Sequence, residues 1–274
     1  MKKYFTISAA FLLFMFTAQA QSTHCGTTEH DAMLRATDPE YAKNREMIEK
    51  FTERYKEKKQ QTGGTRSGTV ITIPVIIHIV YNTDDQNISD AQAQSQIDVL
   101  NEDFRRQNAD ASDTPADFED IAADFELEFC LATVDPDGEL TDGIERRESD
   151  VTEWGLDDAV KFYSEGGLDA WSNQDYLNIW CCNLTSGILG YAQFPGGAGA
   201  TDGVVVTYSA FGREGFVVAP YNLGRTASHE VGHWLNLYHI WGDDGDCSGT
   251  DFCDDTPNQE IETYGCPSHP FDDA

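Results

Sequence analysis

The sequence predicts an α/β domain in which a twisted, mostly parallel sheet is backed by one helix and faced by a second that carries a cluster of histidines. Three stretches predict it. Residues 70–81 read VITIPVIIHIVY, a β-branched and largely apolar run of the kind that forms a strand buried on both faces. Ser89-Asp90 is a helix start, and Ile97, Leu100 and Phe104 mark the buried side of a helix running to about Arg106. Residues 229–239 read HEVGHWLNLYH, a cluster of histidines around one acid.

Taken from the start, residues 1–20 have the form of a secretory signal peptide. Lys2 and Lys3 open it, an apolar run extends from Tyr4 to Phe16, and Ala18-Gln19-Ala20 is a small-residue cleavage site. The run is short for a membrane span and nothing later is longer, so export without stable membrane association is expected, into a compartment that permits disulfides. Residues 21–66 form a separate segment. Asp38-Pro39 starts a helix with Tyr41, Ile48, Phe51 and Tyr55 on its apolar face, and Lys56–Gln61 dissolves it into a Gly/Thr/Ser linker around Arg66.

The main domain is expected over residues 67–274. His78, inside the first strand, reads as a packed core histidine. Phe125 to Val134 and Leu177 to Leu184 read as further strands, with weak helical character around Leu156–Tyr163 between them. Gly187 to Pro195 is a strand closed by proline and a glycine-rich loop, which suits a sheet edge. Gly203 to Tyr208 is the next strand, and Asn222 to Ser228 leads into the histidine helix. Acidic residues number 48 against 18 basic ones, a net charge of −30 that argues against nucleic acid and anionic membranes as partners. Most of that charge reads as a solvated surface.

The histidines carry the chemistry. His229 and His233, four apart on a helix, stack their imidazoles on one face and can share a zinc ion. Glu230, between them in sequence, is placed to take a proton from a metal-activated water. His239 is too far along for the same face, so the helix must stop after Leu235 and the chain must swing back. Asn236 stands at that turn, where a left-handed residue is needed and Asn is tolerated next after Gly.

The pattern resembles the metzincin zinc site H-E-x-x-H-x-x-G-x-x-H, with Asn236 in place of its glycine. The wording HEVGHWLNLYHIWGD resembles the pappalysin branch, secreted zinc endopeptidases, and the likeness covers about residues 67–274. It implies a zincin-like fold, zinc on His229, His233 and His239, Glu230 as general base, a peptide or protein substrate and a preference for cutting beside arginine. It implies that residues 21–66 are a propeptide that inhibits its own enzyme. Cys25 would then be the thiolate in zinc's open position in the zymogen, the alternative being a cysteine with no role.

Three further expectations follow from the resemblance. The acidic loop Gly242–Pro257 resembles a calcium-bearing stretch, favouring Asp251 and Thr256 as ligands, against a merely solvated loop. The methionine turn of metzincins is missing, since Met1, Met15, Met33 and Met47 all precede the domain. An incomplete lower subdomain is therefore expected, with a catalytically silent zinc-binding remnant as the alternative function. Cys247 and Cys266 resemble cysteines whose partners lie further downstream. Seven cysteines leave at least one over; Cys130 and Cys182 are one candidate pair, with connectivity left open by the sequence.

Overall fold

The computed structural model describes residues 24–62, 68–116, 118–185, 187–254 and 256–263. The expected leader at 1–20, the linker at Arg66 and Cys266 lie outside these residues. Along the chain run β1 (His24–Cys25), α1 (Thr27–Thr37), α2 (Pro39–Thr62), β2 (Ile71–Tyr81), α3 (Asp90–Phe104) and β3 (Leu127–Leu131). There follow β4 (Ile144–Glu148), β5 (Leu177–Cys182), β6 (Ile188–Ala192), β7 (Val204–Thr207) and α4 (Arg225–Trp234).

The strands form one sheet in the order β1-β6-β7-β5-β2-β3, with β4 also paired to β2. Every pairing is parallel except β6 with β7. The central strand behaves as its composition predicts from Val75 to Val80, which is buried throughout; its first residues are open, with Ile71 58% exposed. Two apolar layers account for that burial. One face packs Val75, Ile77 and Ile79 against Ile97, Leu100 and Phe104 of α3 and Ala227 and Val231 of α4. Burying each of these larger side chains is worth about 1.5–3 kcal/mol.

The other face packs Val80, Trp180, Cys182 and Tyr191 under Trp154, Val160 and Leu184, in the irregular stretch between β4 and β5 and just after β5. His78 lies in that layer as expected: fully buried, its ring nitrogens face Asn178 and Glu145 at 3.0 Å each, and it stacks on Trp180. Lys161 is also buried, its ammonium 2.8 Å from Asp158 and over the Trp180 ring. Ser89 caps α3 by accepting from the Gln92 amide at 3.2 Å.

The N-terminal segment departs from expectation. Helix α1 precedes Asp38 and has no counterpart among the elements expected from the sequence. Asp38 does start α2, accepting from the amides of Glu40 and Tyr41. That helix then continues through Lys56–Gln61 to Thr62 instead of dissolving. Its inner face is centred on Tyr41 and Arg45, whereas Phe51 and Tyr55 are 62% and 55% exposed. The apolar stripe misplaces the helix because an arginine takes the buried position.

The candidate disulfide is also corrected. Cys130 and Cys182 are both thiols, on β3 and β5, which flank β2 on opposite sides. Two strand spacings, about 9.6 Å, exceed the Cα separation a disulfide spans. Cys181 and Cys182 face opposite layers, as successive strand residues must.

A candidate metal centre closed by the N-terminal segment

Helix α4 presents His229 and His233 together and ends in a turn that returns His239 to them. The ending is a Schellman motif: the Leu237 amide donates to Gly232 O at 2.9 Å and the Asn236 amide to His233 O at 2.8 Å. Asn236 occupies the left-handed position with φ of 76°, as its place in the motif requires. The three Nε2 atoms converge at 3.0, 3.1 and 3.2 Å from one another.

These distances fit a shared cation. His233 Nδ1 donates to Leu237 O at 2.7 Å, and His239 Nδ1 faces the Asp243 carboxylate at 2.9 and 3.0 Å. Both rings therefore keep their proton on Nδ1 and turn a lone pair inward from Nε2. Lone pairs facing each other at this range repel unless a cation lies among them. Tetrahedral zinc with nitrogens at about 2.05 Å would set them about 3.3 Å apart. Two of the imidazoles are held neutral by their surroundings: burial and the neighbouring His229 and His239 push His233 down to about 3. His229 is lowered as well, first by burial and then by the neighbouring His239.

Cys25 completes the group. Its Sγ and the three ring nitrogens all lie within 4.8 Å of one another, the candidate metal-holding group among the described residues. The strand expected at the sheet edge does not form the edge here. Strand β1 pairs with β6, the His24 amide donating to Gly187 O and the Gly26 amide to Gly190 O, each at 2.8 Å. Helix α1 then carries the chain away, and side chains continue the pairing: Thr27 Oγ1 accepts from the Ala192 amide at 2.8 Å while a His30 ring nitrogen faces Ala192 O at 3.2 Å. Burial and Glu230 favour the Cys25 thiol, and a cation at the three nitrogens would reverse that preference.

Glu230 lies fully buried beneath β6. Its Oε2 accepts from Thr27 Oγ1 at 2.8 Å and from the Cys25 thiol at 3.6 Å, while Oε1 has no partner. Burial lifts its pKa to about 8. The glycine at 190 makes room for it: a Cβ there would stand 2.9 Å from both Glu230 Cγ and the Val205 carbonyl oxygen. Gly190→Ala is expected to cost about 1–3 kcal/mol, read as a lowered thermal midpoint. A cleft of about 400 Å³ opens beside the histidines, walled by Phe104, Phe125, Leu237 and Trp241.

Asp243, Thr27, Gly190 and Arg45 are site residues that the sequence does not announce. Only Asp243 leaves a local trace, four residues past His239. The calcium expectation receives no support: Asp251 accepts from the Cys253 amide at 2.9 Å, the Thr256 amide donates to Cys253 O, and no carboxylate cluster forms around them among the described residues.

Known proteins resemble this chain in sequence and in fold. Residues 164–268 match the M43 peptidase family model described as pregnancy-associated plasma protein-A. An extracellular metalloprotease of Arthroderma benhamiae is 30% identical over 203 residues, covering 72% of this chain. Extracellular metalloprotease 1 of Coccidioides posadasii is 32% identical over 208 residues, again covering 72% of this chain. The matches span 63% and 62% of those proteins' own lengths. Mature mirolysin of Tannerella forsythia, solved with a cleaved peptide, superposes with a TM-score of 0.73 at 54% identity, covering 75% of this chain and 78% of that one. A promirolysin mutant from the same organism gives 0.76 at 48% identity, over 90% and 80%. With the histidine centre and the mirolysin fold agreeing over most of both chains, the chain belongs to the pappalysin family of metzincin-type metalloproteases.

Proposed function

We propose that this chain is a secreted, zinc-dependent endopeptidase, made as a zymogen that its own residues 21–66 keep latent. The observation that carries the reading is Glu230. It is a wholly buried carboxylate with one unpartnered oxygen, and the Cys25 sulfur links it to the space on which three ring nitrogens converge. His229, His233 and His239 would hold zinc, and bound zinc supplies a Lewis acid that polarises the substrate carbonyl and acidifies water.

The chain's own residues do the rest. Glu230, directed at the space between the ring nitrogens and β6, takes a proton from the attacking water and returns it to the leaving amine. Asp243 and Leu237 O fix the tautomers of two ligands through their Nδ1 protons. Once β1 departs, the groups it covers on β6 can pair with an extended substrate backbone. Extracellular relatives, a neighbour caught with a cleaved peptide and another described as a pro-form support this reading. A preference for cutting beside arginine belongs to it and rests on resemblance.

The test is hydrolysis of a quenched, arginine-containing peptide after residues 21–66 are removed, beside Glu230→Gln and zinc-chelated controls. Hydrolysis that both controls abolish supports the protease; zinc bound without hydrolysis overturns it. Cys25→Ser, assayed before any cut, is expected to leak activity at least about tenfold over the parent zymogen, because a hydroxyl is a far poorer zinc ligand than a thiolate.

A further inference from the structure

We propose that the cradle formed by Phe194, Pro195, Asn236 and Tyr238 is a docking site for Arg45, and that it holds residues 24–62 on the domain after the chain is cut between α2 and β2. The cut segment then remains a bound partner, and Arg45 rather than Cys25 sets its affinity. The proposal rests on reading residues 21–66 as a removable segment, but not on any hydrolytic activity.

Arg45 projects from α2 and is wholly buried, a rare state for a guanidinium. One terminal nitrogen, Nη1, donates to Pro195 O at 3.1 Å and to Asn236 Oδ1 at 2.6 Å; the other, Nη2, donates to the Tyr238 hydroxyl. The guanidinium lies 4.7 Å from the centre of the Phe194 ring and 5.8 Å from that of Tyr238. Phe194 in turn packs edge-on against His233, so the cradle adjoins the metal centre.

The domain side of the cradle offers neutral acceptors and aromatic faces. The balancing charge comes from the segment itself. Glu49, one turn further along α2, accepts from Arg45 at 2.9 Å, and the same oxygen accepts from the Tyr238 hydroxyl at 2.9 Å and Asn236 Nδ2 at 3.2 Å. A pocket built this way fits a guanidinium and carboxylate presented together at i and i+4, and fits a lone cation poorly. Asn44 adds a bond to Gly196 O at 3.0 Å. The arrangement also accounts for the residue at position 236: glycine would make the turn, but only a side-chain amide meets both Arg45 and Glu49.

Distance separates this lock from the cut. Thr62 closes α2 seventeen residues after Arg45, about 25 Å along a helix. Cleavage beyond Thr62 therefore leaves every cradle contact in place.

The experiment uses the full chain with a site-specific endoprotease sequence placed between Thr62 and Gly68. The cut protein is passed over a sizing column, and the dissociation constant of the segment is measured by fluorescence anisotropy. Parent and Cys25→Ser are expected to retain the segment. Arg45→Ala and Arg45→Lys are expected to weaken it by about a hundredfold, the loss of charge-assisted bonds from a buried site. Asn236→Gly, which leaves the segment's own sequence untouched, is expected to weaken it by about tenfold. Retention by Arg45→Ala at parental affinity, or release by Cys25→Ser alone, overturns the proposal. So does an Asn236→Gly protein that binds as the parent does, since Arg45 would then act through α2 and not through the cradle. Hydrolysis enters none of these measurements, so a catalytically silent enzyme would give the same result.

Discussion

Glu230→Gln is expected to bind zinc as the parent does and to hydrolyse peptide at least about 10³-fold more slowly, within the range a positioned general base contributes. The amide keeps the size of the carboxylate and, in the uncut chain, can still accept from Thr27, so the buried space beneath β6 stays filled as the protein folds. What it loses is the ability to take up a proton. Metal analysis of the folded variant beside its turnover separates the two roles: equal zinc with a lost rate supports Glu230 as the base, and a rate within tenfold of the parent sinks it. His233→Ala provides the opposite signature, because it removes a ligand and should lose zinc and turnover together.

Lys161→Ala is expected to cost about 3–5 kcal/mol, the penalty for leaving a buried charge without its partner. The ammonium is wholly buried, 2.8 Å from Asp158 and 2.7 Å from Thr201 O, over the rings of Trp180 and Tyr191. Burial alone would raise the pKa of Asp158, yet Lys161 and His30 bring it down to about 2. A depressed carboxylate stabilises the fold above its ordinary value near 3.8, and that contribution fades as pH falls toward about 2. Denaturant titrations at pH 7 and pH 3 read both effects. An unchanged midpoint in Lys161→Ala would show that the pair contributes nothing net.

The parts of the site legible in the sequence are those that local spacing determines. Four residues on a helix set His229 over His233, and the return of His239 demands a turn that Asn236 makes with φ of 76°. Ser89 and the buried run Val75–Val80 are equally local signals. What escapes depends on chain far away. The partner of Cys25 on β6 is Gly190, well over a hundred residues on, and no periodicity announces a two-residue strand. Strand β4, IERRE, lacks an alternating apolar pattern because its hold on the sheet is backbone pairing to β2. Helix α2 is turned the wrong way by its apolar stripe because hydrophobicity ranks Phe51 and Tyr55 above Arg45, while the aromatic cradle ranks them in reverse.

The short strand β1 also bears on how copies of this chain meet one another. A parallel sheet with a bare rim is a template for another copy of itself, and unpaired amides and carbonyls along β6 would invite chains to stack before they reached their destination. His24 and Gly26 occupy two carbonyls of that rim, and Thr27 and His30 occupy the amide and carbonyl of Ala192. The same pairing that covers the rim beside the histidines leaves it closed to a second copy of the sheet, and uncovering it would open the rim to peptides and to other chains alike.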